Sequence, residues 1–219
     1  MKETTAKKKF MWNMAGSLCN SLSSMLLLII VNRISGESRG GFFALAYSTA
    51  QLLFSVGGFE IRPVQSTDIK NKFTFDQYFT SRMLNCIIML ICMIGYIVVN
   101  GYTGVEALTV FWILGYRMVE AVADVYSGLF QQRERIDISG KEMLMRSGIS
   151  TITFTIILWL TDNLLYAAMT LTLTSLVIML FYDLHMKRYF EPTPVHLEWK
   201  GILGIYNACW PLFVSSFIM

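Results

Sequence analysis

Residues 111–131 read FWILGYRMVEAVADVYSGLFQ. Most of this stretch is apolar enough to lie in a bilayer, yet it carries Arg117, Glu120 and Asp124. A charge at mid-membrane costs about 2.5–3.5 kcal/mol even on the lenient insertion scale, so such groups face a bundle interior or a wet cavity. At about 100° per residue, Arg117, Glu120, Asp124, Gly128 and Gln131 fall within an arc of roughly 80°. Val119, Val122, Tyr126, Leu129 and Phe130 take the opposite side. The pattern predicts a helix with one face toward lipid and the other toward protein or water. Two uses of the charged face stay open: an internal salt bridge from Arg117 to Glu120 or Asp124 that eases insertion, or a polar pathway through a transporter.

The remainder of the chain supports a membrane setting. Of its 219 residues 54% are hydrophobic, and the mean hydropathy is +0.51. A helix needs about 20 apolar residues to cross the hydrocarbon core. Seven runs approach that length: 10–31, 42–61, 83–100, 107–130, 147–161, 164–184 and 202–219. The fifth is short and is cut off by TDN at 161–163.

Basic residues are distributed unevenly between the runs. Lys2, Lys7, Lys8 and Lys9 precede the first, and Arg62, Lys70, Lys72 and Arg82 follow the second. Arg133, Arg135, Lys141 and Arg146 follow the fourth, and Lys187, Arg188 and Lys200 follow the sixth. That places 15 of the 18 Lys and Arg residues on one side, against Arg33 and Arg39 on the other. The positive-inside rule then predicts a multi-pass protein of the cell membrane, with a cytoplasmic N-terminus and an even number of spans before residue 185. These clusters border apolar runs and form no continuous basic face, which argues against nucleic acid and for anionic lipid headgroups as neighbours. The first apolar run exceeds the usual length of a cleavable signal and reads as a signal anchor. Cys19, Cys86, Cys92 and Cys209 lie in apolar runs without a CxxC pair or an adjacent His, so neither a metal nor a disulfide is expected. No nucleophile, metal or phosphate-loop motif points to an enzyme.

Polar residues recur with helical spacing in other runs. Asn13, Gly16, Ser17, Asn20 and Ser24 share one face of the first, a pattern suited to close helix packing or to lining a cavity. Tyr47, Gln51, Ser55, Gly58 and Arg62 repeat it in the second. Gly57 and Gly58 are expected to bend that helix, and Pro63 to end it. FTFDQYFTSR at 73–82 reads as a short interfacial helix before the third span. A turn is expected at Ser139-Gly140. Thr151, Thr153 and Thr155, then Thr170, Thr172 and Thr174, alternate as strand residues do, but span lengths and charge favour helices. Pro192 and Pro194 mark a linker, and His185 and His196 belong to no motif.

Three stretches carry a resemblance. They are KKKFMWNMAGSLCNSLSSMLLLIIVNRISG at 7–36, GGFEIRPVQSTDIKNKFTFDQYFTSR at 57–82, and GYRMVEAVADVYSGLFQQRERIDISGK at 115–141, the last being the most specific. Together they resemble the polysaccharide flippase branch, O-antigen flippases included, of the multidrug/oligosaccharidyl-lipid/polysaccharide exporter superfamily. LEWKGILGIYNACWPLFVSSFIM at 197–219 is similar to that family's lead-in to its seventh helix.

The resemblance implies an all-α integral membrane protein: a six-helix N-terminal lobe of a two-lobe transporter at 1–190, an inter-lobe linker at 191–200, and the start of a seventh helix at 201–219. It implies transfer of lipid-linked, undecaprenyl-type oligosaccharide or polysaccharide units from the cytoplasmic to the outer leaflet by alternating access. Arg117 and Arg62, with Arg33 at the outer mouth, are the expected phosphate or pyrophosphate ligands. Asn20 and Gln51 are expected to bond sugar hydroxyls. Glu120 and Asp124 are expected to balance Arg117 or to bind a coupling proton or sodium ion. No cofactor is implied. Because the chain stops inside an apolar run, it is expected to be a fragment that inserts without translocating. It would then need a second lobe or polysaccharide-assembly proteins as partners. The alternatives are a drug/cation antiporter of the same superfamily, which would use the carboxylates as its main sites, and an inert or assembly-only truncated lobe.

Overall fold

The computed structural model describes residues 5–190 and 199–218, and every regular element among them is helical. The elements are α1 (Ala6–Ser35), α2 (Glu37–Gly58), α3 (Ile61–Thr67), α4 (Phe75–Val99), α5 (Gly104–Gln132), α6 (Ile136–Thr161), α7 (Leu164–Lys187, with a π-helical turn at Met179–Asp183) and α8 (Trp199–Ile218). Four of them, α1, α4, α6 and α7, are long and apolar enough to cross a membrane, and α2 with α3 makes a fifth if that bent pair is one span. Rows of exposed apolar side chains, such as Phe10, Met14, Leu18, Leu22 and Met25 on α1 or Ile87, Ile91, Ile94 and Val98 on α4, fit lipid contact. This is a multi-pass membrane protein. The linker expected at 191–200 falls mostly on 191–198, and His196 with it, outside the described residues; Trp199 is already helical.

Contacts at the helix ends sort the loops into two groups. Lys9 Nζ donates to the Glu134 carbonyl at 3.0 Å, Gln132 Nε2 donates to the Asp68 carbonyl at 2.7 Å, and Lys187 pairs with Asp76 at 3.9 Å. The N-terminal segment and the three basic loops therefore share one end of the bundle. Arg39 pairs with Asp162 at 3.0 Å, and Phe42 meets Tyr102 edge-on, at the other end.

Helix boundaries depart from the apolar runs for local reasons. The chain reverses between α1 and α2 on Gly36 alone, at φ +85°, ψ 171°, a backbone region that only glycine adopts at low cost. The expected bend after Gly57-Gly58 is present: α2 and α3 meet at 43°. Phe59 and Glu60, both left-handed at φ +44° and +52°, make the corner. Pro63 does not end the helical path, because it falls in the first turn of α3, where its missing N–H is not required. The segment 73–82 is not a separate interfacial helix. Thr74 caps α4 with a capping box, its hydroxyl accepting from Gln77 N at 3.3 Å while Gln77 Oε1 accepts from Thr74 N at 3.1 Å, and the helix runs unbroken to Val99. Ser139-Gly140 forms no turn; both lie within α6, which begins at Ile136. The alternating threonines are helical, and Thr153, Thr155, Thr170 and Thr172 donate to carbonyls four residues back.

The largest departure concerns α5. Val119, Tyr126, Leu129 and Phe130, expected to face lipid, are buried, and Val122 is half-buried. The helix runs through the centre of the bundle, against α2, α3, α4, α6 and α7, so its apolar face meets protein rather than lipid. Two apolar clusters flank its middle. Val110, Ile113 and Leu114 pack with Phe43, Phe154 and Leu171 toward one end, and Val125, Leu129 and Phe130 pack with Ile61, Tyr78 and Ile205 toward the other. The charged stretch 117–124 lies between them.

Candidate functional site

That middle layer opens onto a cavity of about 510 Å³, lined from α1, α2, α3, α5 and α6. Three arginines, Arg62, Arg117 and Arg146, reach it, and Asn20, Gln51, Glu120 and Asp124 share its wall. Six of the seven residues singled out from the sequence thus come together. Arg33 does not. It lies in the last turn of α1, exposed and 13 residues beyond Asn20, about 20 Å along the helix.

The short corner at Phe59-Glu60 swings α3 back over α5. Arg62 Nη1 then reaches Asp124 Oδ1 at 2.8 Å, and its Nε donates to Gln131 Oε1 at 3.2 Å. Arg82, on α4, approaches Asp124 from the protein side. It is 0% exposed, its Nη2 sits 2.9 Å from Asp124 Oδ2, and its Nη1 donates to the Gly57 carbonyl at 3.0 Å. One carboxylate therefore holds two guanidiniums, a buried one and a partly exposed one.

One to two turns earlier on α5, Arg117 ion-pairs with Glu120. Its Nη2 donates to the Tyr47 hydroxyl at 2.6 Å and to Ser24 Oγ at 3.4 Å, and its guanidinium carbon lies 4.7 Å from the Tyr47 ring centroid. Tyr47 in turn donates to Ser24 Oγ at 3.1 Å. Asn20 Nδ2 donates to Glu120 Oε1 at 3.2 Å, and Arg146 approaches the same oxygen at 3.8 Å. Arg146 Nε donates to Glu142 Oε1 at 2.6 Å. The internal salt bridge from Arg117 to Glu120 is thus present, and the same pair lines a cavity. The small residues of α1 divide similarly. Asn20 and Ser24 line the cavity, whereas Gly16 packs so tightly on α6 that an added Cβ would sit 2.2 Å from the Gly140 carbonyl oxygen.

Sequence reasoning placed Arg82 and Arg146 at the membrane border and passed over Glu142 and Asp183. All four are buried. A signal was available: Tyr78, Ser81, Arg82 and Asn85 recur at helical spacing on one buried face of α4, as do Ser139, Glu142, Arg146 and Ser150 on α6. A polar stripe that continues in register into an apolar run marks a buried polar face, not a loop.

Clustered guanidiniums in a low-dielectric layer favour a bound anion, because each offers several charge-assisted donors. Arg117 Nε and Arg146 Nη1 have no acceptor among the described residues. No curated protein and no solved structure matches the chain. A family model described as "Polysaccharide biosynthesis protein" matches residues 6–219, from the first residue of α1 through α8. With a match of that extent over an all-helical, multi-pass chain, the protein belongs to the polysaccharide biosynthesis protein family.

Proposed function

We propose that the chain forms the N-terminal lobe of a flippase that carries lipid-linked oligosaccharide or polysaccharide units from the cytoplasmic to the outer leaflet of the cell membrane. In this reading α5 counts as a span despite its charges, giving six spans before α8, with α2 and α3 forming one of them. The basic end of the bundle is cytoplasmic. Alternating access comes from rocking against a second lobe, and α8 begins that lobe.

The observation that carries the reading is the convergence of Arg62, Arg117 and Arg146 on one cavity within an apolar bundle. A phosphate or pyrophosphate headgroup is the anion that a lipid-linked sugar would present to them. Asn20 and Gln51 supply amide groups for sugar hydroxyls, and the polyprenyl tail stays in lipid. The competing cargo, a drug cation, would need free carboxylates. Glu120 and Asp124 are each bound to guanidiniums instead, which favours the anion.

The test is binding in vesicles that contain the protein and a fluorescent polyprenyl-pyrophosphate oligosaccharide. Arg117→Gln and Arg146→Gln should each weaken binding about tenfold or more, since a charge-assisted bond contributes about 1.5–3 kcal/mol. A neutral glycolipid with the same sugars should bind poorly to all three proteins. Equal binding of charged and neutral lipids, or unchanged affinity in both variants, would overturn the assignment.

A further inference from the structure

Asp183 stands outside every ion pair described above. It closes the π-helical turn of α7, is 0% exposed, and neither carboxylate oxygen has a hydrogen-bond donor among the described residues. Single-turn π-helical bulges concentrate at functional sites. An ionised carboxylate buried without donors is among the costliest arrangements a protein can hold, and such a group takes up a proton or a partner instead.

Its neighbours narrow the choice. The π-helical turn packs against α6 and α5, which brings Glu142 and Arg146 of α6 and Tyr126 of α5 within electrostatic range of Asp183, with Tyr182 beside it in the chain. Glu142 is itself 0% exposed; its Oε1 accepts from Arg146, and its Oε2 has no donor among the described residues. Glu142 also feels Glu120 and, more distantly, Arg62, which is already bonded to Asp124. Arg117 and Arg146 pair with Glu120 and Glu142, and Arg62 and Arg82 share Asp124, so every guanidinium of this layer already has a carboxylate, while Asp183 has no such partner among the described residues.

We propose that Asp183 and Glu142 hold a single proton between them, a proton-binding site set behind the cavity and tied to it through Arg146. One shared proton makes one carboxyl an O–H donor to the other and pairs one unpartnered oxygen on each residue. Arg146 links this site to the cavity because it touches Glu142 and Glu120 together. An anion that draws Arg146 toward the cavity leaves Glu142 short of its cation, so the shared proton is held more tightly. By reciprocity, the protonated pair favours the anion. That link, unlike the site itself, rests on the anionic cargo proposed above.

Infrared spectroscopy of the full chain in lipid nanodiscs tests the site. At neutral pH the protein should show the carbonyl band of a protonated carboxylic acid, shifted by deuterium exchange. The band should vanish in Asp183→Asn and also in Glu142→Gln, since each removes one of the two carboxyls that share the proton. Isotopically labelled aspartate or glutamate assigns the band without any substitution, should either variant fail to fold. Absence of the band in the unmodified protein, or its persistence unchanged in both variants, would overturn the proposal. So would an ionised pair whose thermal stability rises with sodium but not with choline, because the site would then hold a metal cation. The link is tested separately with inorganic pyrophosphate in weak buffer, which should cause proton uptake by the unmodified protein and none by Asp183→Asn. An intact band without that uptake would refute the coupling to an anionic cargo and leave the proton site standing.

Discussion

Removing the Asp124 carboxylate should expose how unequal its two ion pairs are. Asp124 holds Arg82 at 2.9 Å and Arg62 at 2.8 Å, so distance does not separate them; burial does, because the Arg82 side chain is 0% exposed and that of Arg62 is 25% exposed. Arg62 can turn to water when its partner is lost, and a pair of that kind contributes about 0–1 kcal/mol. Arg82 cannot. Asp124→Ala leaves it with the Gly57 carbonyl as its one remaining named acceptor, and stranding a buried charge costs about 3–5 kcal/mol. The expected order is therefore Asp124→Ala far more destabilised than Arg62→Ala. Replacing both ends of the buried pair, as Arg82→Met with Asp124→Leu, should recover most of the loss, since an apolar pair of similar volume removes the stranded charge. Equilibrium unfolding in mixed micelles, followed by tryptophan fluorescence, measures all four proteins. If Asp124→Ala costs no more than Arg62→Ala, or if the double variant is as unstable as Asp124→Ala, the reasoning from burial is wrong.

Other substitutions test the packing around the site. Gly140→Ala would put a Cβ 2.3 Å from the Trp12 carbonyl oxygen, forcing α1 off α6, and should cost about 1–3 kcal/mol in the same unfolding assay; Gly148→Ala, whose Cβ would meet only Cys19 Sγ at 3.6 Å, serves as the near-neutral control. Thr74→Ala removes the cap of α4 and should cost about 1 kcal/mol, with faster amide hydrogen exchange confined to the first turn of that helix. Glu60 sits at φ +52°, so Glu60→Gly should gain up to about 1 kcal/mol in thermal unfolding, whereas Glu60→Val should lose stability.

The helical, membrane-spanning character was legible because apolar length and the asymmetry of lysine and arginine are one-dimensional signals. The cavity was legible for a related reason. Arg117, Glu120 and Asp124 share one face of a helix, and Asn20 and Gln51 sit in similar stripes, so their convergence followed once the helices packed. What escaped was the extent of burial at helix ends. Arg82 and Arg146 precede the apolar runs of α4 and α6, and a border rule reads them as solvated. Both helices begin earlier than their apolar runs, at Phe75 and Ile136, and those extra turns are covered by neighbouring helices rather than by water. Helical periodicity gave α5 a lipid face, since Val119 and Leu129 carry no mark that distinguishes a helical neighbour from an acyl chain. Arg33 was expected at the outer mouth, and its place in the last turn of α1, 13 residues beyond Asn20, sets it apart from the cavity wall.

The cavity's guanidiniums are each already engaged by a carboxylate, and this shapes the timing of any exchange. On the anionic-cargo reading, an anion entering beside Arg117 or Arg146 would displace Glu120 or Glu142, carboxylates that stay tethered within reach of the place they left. They act as resident competitors at high effective concentration. Arginines alone would grip a pyrophosphate and give it up slowly; arginines with returning carboxylates shorten its stay. For the anionic cargo proposed above, these acidic residues would set dwell time more than grip.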